Sequence, residues 1–131
     1  MKKTILAILM AMLATTAFAE AKCEGGDVFE GVNDGHEYCI SKSKMNWWSA
    51  FTWCQHQGRH LPSLQEVCEG WHGASGPVCD NLIKSDVTAT HCWTANPSGS
   101  TSAWIVVIGT GSIFSHSSVL RNNGTAIALC Y

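Results

Sequence analysis

Seven cysteines, at positions 23, 39, 54, 68, 79, 92 and 130, all lie beyond residue 22 of a 131-residue chain. No other feature restricts the fold as strongly. A short exported chain with that cysteine density is stapled by disulfides, because its core alone is small. Residues 1–19 point to export. Lys2 and Lys3 precede an apolar run from Ile5 to Leu13, and Ala17-Phe18-Ala19 ends it with a small-x-small pattern. The run is too short to span a bilayer comfortably. A signal peptide over 1–19, cut after Ala19, is the expectation, with a single domain over 20–131. The expected location is secreted, periplasmic or cell-surface, with no membrane insertion after cleavage. Glu20-Ala21-Lys22 ahead of Cys23 is unlike a lipoprotein signal, and the Met-Lys-Lys start reads as bacterial. Pairing six of the seven cysteines allows about 105 connectivities, and spacing alone selects none of them.

Helical periodicity is clearest from Met45 to Leu61. Trp47, Ala50, Phe51 and Cys54 fall at i, i+3, i+4 and i+7, which places them on one helix face. Asn46 is the expected N-cap and Gly58 the left-handed residue after the end, so a helix over about Asn46–Gln57 follows. Trp47 and Trp53 are expected in the core, with Trp48 partly exposed. Ser63 and Glu66 have the spacing of a capping box, which starts a second helix over about Leu64–Glu69. Before the helices, Asn33-Asp34-Gly35 turns a hairpin that Cys23 and Cys39 would close. After them, residues 70–86 read as loop, with Cys68 and Cys79 placed to staple its first half. From His91 the pattern becomes strand-like: HCWTA, AWIVVIG, SIFSH and AIALCY, separated by Gly, Ser and Asn. Hairpin, two helices and a mostly antiparallel C-terminal sheet make an α+β domain.

Trp47-x-x-Ala50-x-x-x-Cys54-x-x-x-Gly58-x-x-Leu61 resembles the first-helix signature of the C-type lectin-like fold. Ala128-Leu129-Cys130 resembles that fold's last strand, and the Cys23–Cys39 hairpin resembles its long form. The resemblance implies a Cys54–Cys130 bridge. Sugar-binding members hold calcium through Glu-Pro-Asn or Gln-Pro-Asp and Trp-Asn-Asp. Here those stretches read Ala95-Asn96-Pro97 and Trp104-Ile105-Val106, and no Asp or Glu follows Asp86. Any binding is thus expected to be independent of calcium, which needs several oxygen ligands.

Val87 to Tyr131 holds one charged residue, Arg121, where average usage gives about eleven. Along Trp104-Ile105-Val106-Val107-Ile108 both alternating sets are apolar. If Trp104, Val106 and Ile108 face the helices, Ile105 and Val107 face outward. The expected ligand-binding residues are therefore Ile105, Val107, Phe114, His116, Ser118, Leu120, Asn122, Asn123, Thr125 and Ile127, an uncharged face with Ser/Asn neighbours such as paratopes use. The segment also lacks Lys, Glu, Gln and Met, residues that NNC codons cannot encode. In this it resembles the variable proteins of diversity-generating retroelements, lectin-fold receptors with a rewritten C-terminal segment.

The rest of the chemistry points away from catalysis. The mature part has about six basic residues against ten acidic ones and no basic cluster, which excludes a nucleic-acid partner. His56 and His60 have zinc-pair spacing, but Gly58 separates them and no acidic or further His cluster joins them. His91-Cys92 reads as an odd thiol or bridge partner beside a solvated imidazole. No Gly-x-Ser-x-Gly elbow and no phosphate loop occur. Cys54 to Glu66 also resembles a motif of formylglycine-generating enzymes, which share the lectin superfold in much longer chains. The expectation is a non-enzymatic binding module or adhesin without cofactor or metal. Its partner would be a protein or a surface glycan, in a homo-oligomer or a pilus or envelope assembly that adds avidity. The alternative is a purely structural exported module.

Overall fold

The computed structural model describes residues 20–32, 34–68, 90–108 and 117–131. The N-terminal hairpin pairs β1 (Gly26–Glu30) with β2 (Glu37–Met45), antiparallel, and the Cys23–Cys39 disulfide ties its base. Gly26 is confined by its neighbours: a Cβ there would run into the Ile40 carbonyl oxygen and the Trp53 ring.

Helix α1 (Trp47–His56) starts and stops where its caps dictate. The Asn46 side chain accepts the Ser49 N–H at 2.9 Å, and Gly58 follows the C-cap Gln57 with φ 68°. Helix α2 (Leu64–Val67) carries a complete capping box. The Ser63 hydroxyl accepts the Glu66 N–H at 3.1 Å, and the Glu66 carboxylate accepts the Ser63 N–H at 2.8 Å.

The remaining strands are β3 (Thr90–Pro97), β4 (Ser102–Ile108), β5 (Ser117–Leu120) and β6 (Ala126–Cys130). They complete a six-stranded sheet of order β1-β2-β6-β3-β4-β5. The last strand returns to the middle, antiparallel to β2 and parallel to β3, so the sheet is mixed. That central position explains why every residue of β6 is buried. The Cys54–Cys130 disulfide fastens α1 to β6. Cys68 is also disulfide-bonded, and its expected partner Cys79 lies outside the described residues, as does the 70–86 segment. Cys92 is a free, buried thiol. Among the described residues no helix is long and apolar enough to cross a membrane. Disulfides of this kind accord with an extracellular or periplasmic protein. The expected leader, residues 1–19, lies outside the described residues.

Each face of the sheet has its own helix. Ala50 and Cys54 of α1 pack with Trp93, Ala103, Ile105 and Ala128. Leu64 and Val67 of α2 pack on the opposite side with Tyr38, Cys92, Val106, Ile108 and Leu129. This corrects the expected outward face. Ile105 is 3% exposed, Val107 7% and Ile127 6%. The two alternating sets of β4 are both apolar because both are covered. Trp104, Val106 and Ile108 do face a helix, as expected, but it is α2 alone, and α1 lies on the side of Ile105. Among the described residues, the four-residue α2 is joined on the other side by Phe29 and Tyr38 of the hairpin. Phe51 departs too: it lies at the helix rim, stacked on Trp47 at 5.4 Å, and is not enclosed.

Candidate functional site

Exposed side chains gather where α1 begins. Trp47 is fixed first. Its indole N–H donates to the Thr94 carbonyl at 2.9 Å, which anchors the ring against the sheet. The Trp47 backbone N–H, left free by helix geometry, donates to the Arg121 carbonyl at 2.9 Å. The Arg121 N–H in turn donates to the Thr101 carbonyl at 2.9 Å. Two backbone bonds thus lock the β5–β6 turn to the first turn of α1 and to the β3–β4 connection.

Arg121 lays its guanidinium over Trp47, 5.0 Å from the ring centroid, and 5.8 Å from that of Trp48. The two indoles meet edge to face at 4.8 Å. Trp48, Leu120, Arg121 and Asn122 then line a cleft of about 340 Å³ with Ser100 and Thr101. Trp48 is 57% exposed and Leu120 53%, so the cleft has an apolar, open rim. A second shallow depression, about 440 Å³, continues past Trp48 along α1 to Thr52, Trp53 and His56.

The electrostatics of this corner are one-sided. Among the described residues no carboxylate pairs with Arg121, and its buried Nε has no hydrogen-bond partner. The first turn of α1 has no acidic residue; its N–H groups are met by the Asn46 side chain and the Arg121 carbonyl. Arg59 shows what a satisfied guanidinium looks like here. Its Nε donates to the Lys22 carbonyl at 3.0 Å, and its terminal nitrogens bond the Glu37 carbonyl and carboxylate. That arginine is a structural clamp. Arg121 has stacking partners but no anion among the described residues.

The expected site residues divide accordingly. Leu120 and Asn122 line the cleft. Asn123 and Thr125 are exposed in the same turn. Ser118 lies in β5, in register with Trp104. Ile105, Val107 and Ile127 belong to the interior, and Phe114 and His116 lie outside the described residues. The expectation missed Trp48, Ser100, Thr101 and Arg121. The signal for Arg121 was its isolation, a single charge within 87–131.

Other reactive groups are accounted for locally. Burial pushes the Cys92 thiol well above its ordinary range, which suppresses thiolate chemistry. The His60 Nε2 sits 2.9 Å from the Glu66 carboxylate. Partial burial raises the Glu66 pKa, but the Ser63 N–H and His60 outweigh that and hold it below its usual value. Among the described residues no three His, Cys, Asp or Glu side chains are grouped to hold a metal.

Compared with known proteins, the chain matches no family model, and no curated protein is similar to it in sequence.

Proposed function

We propose that this chain is an exported, C-type lectin-like binding module that holds a protein or surface glycan without calcium. Its site is the cleft between the start of α1 and the β5–β6 turn. One observation carries the reading: a guanidinium stacked on two indoles, with no carboxylate partner among the described residues, at an open cleft beside Leu120 and Asn122. Exposed tryptophan and arginine are the residue types that most often dominate binding energy. The Asn46 cap and the backbone bonds from Trp47 to Arg121 and from Arg121 to Thr101 tie this corner together, which lowers the ordering cost of binding. The resemblance to diversified receptors fits the same site, since Asn122, Asn123 and Thr125 form its outer turn.

The test is retention of cell-surface material by immobilised protein in EDTA, compared between the native chain and Leu120→Glu. Retention that Leu120→Glu abolishes supports the reading. Retention that Leu120→Glu leaves unchanged puts the site elsewhere. A structural role in an envelope assembly is favoured by one feature, the exposed Val28 and Val32 at the β1 edge of the sheet. A chain that retains nothing and self-assembles through that edge would be such a module.

A further inference from the structure

We infer that the Arg121 cleft recognises the carboxylate of an acidic sugar, a terminal hexuronic or sialic acid on a surface glycan. The inference rests on the binding reading above and assigns its ligand class. Three features carry it. First, the charge is unspent: among the described residues Arg121 has no carboxylate partner, and its Nε has no hydrogen-bond partner. A planar guanidinium held by stacking offers paired N–H donors, which match the two oxygens of a carboxylate. Second, the walls are neutral. Ser100, Thr101 and Asn122 supply hydroxyl and amide groups of the kind that bond sugar hydroxyls, and Trp48 and Leu120 offer apolar surface to a ring's C–H face. Third, the cleft is small: about 340 Å³ lies at the low end for ligand sites and suits a terminal residue rather than a folded segment.

The experiment is an array carrying hexuronate- and sialate-terminated glycans, their methyl esters, their neutral parents and Asp/Glu-rich peptides, probed with the full domain in EDTA. The expected result is retention of the acids about tenfold or more above their esters, because esterification removes the charge that strengthens the Arg hydrogen bonds. The ester comparison uses the native protein and does not depend on a variant folding. Arg121→Gln should erase the preference for acid over ester, and Arg121→Lys should keep part of it. Trp48→Ala should weaken acids and esters alike. Equal retention of acids and esters overturns the inference while leaving a glycan-binding module. Retention of the acidic peptides without the glycans overturns it in favour of a protein ligand at the same cleft. Silence in every arm also overturns it, and the EDTA retention experiment then judges the binding reading by itself.

Discussion

The middle of the sheet and the corner at the start of α1 are both rich in apolar and aromatic residues, yet they serve opposite ends. Around Ile105 and Val106 each side chain packs in a cluster with a helix, and strand β6, beyond β3, has no exposed residue. Around Trp48 and Leu120 the apolar groups stay open, and an arginine stands among them with no carboxylate partner among the described residues. Apolar content alone therefore does not mark a binding surface. What separates the two regions is covering: α1 and α2 pack on the two faces of one, and the other opens at the first turn of α1.

The sharpest way to break this comparison is to place a charge in each region. Ile105→Asp buries an unpaired carboxylate between α1 and the sheet, and should cost about 4 kcal/mol or more, enough to unfold a small domain. A folded Ile105→Asp protein in urea titration would return β4 to the surface. Removing the Cys54–Cys130 staple with the double change to alanine should cost about 2–5 kcal/mol, since the bridge closes a long loop. The same titration measures it. Ser63→Ala removes the α2 cap and should cost about 1 kcal/mol. The Glu66 half of that box also depends on pH. Its carboxyl is held below the usual range in the folded state, so its contribution is complete above the ordinary carboxylate pKa. That contribution is lost as the pH falls through the folded value, so the stability gap to Glu66→Gln should narrow on acidification. Smallest of all, Trp48→Ala and Leu120→Ser should change stability by about 0.5 kcal/mol or less while weakening ligand retention.

Much of the scaffold was legible in the chain. Asn46, Gly58, Ser63 and Glu66 mark their helix ends through local hydrogen bonds, which need no tertiary context. The Cys23–Cys39 hairpin and the strand runs beginning at 91, 103 and 126 are likewise local patterns, and the run expected at 112–116 lies outside the described residues. Sidedness was not legible. Strict alternation in β4 shows that Ile105 and Val106 point to opposite faces but not which face α1 covers. It also cannot show that a four-residue helix closes the other one. The site was half legible, since Leu120 and Asn122 were on the expected surface. Trp48 and Arg121 are 73 residues apart in sequence and meet through the Trp47–Arg121 backbone bond, which only the fold creates.

Hydroxyl-radical footprinting, read residue by residue with and without the glycan best retained on the array, tests the central claim most directly. The account predicts fast modification of Trp48 and Leu120 in the free protein, slow modification of Ile105 and Ile127, and protection of Trp48 and Leu120 on binding. Fast modification of Ile105, or ligand protection that leaves Trp48 and Leu120 untouched, would contradict it.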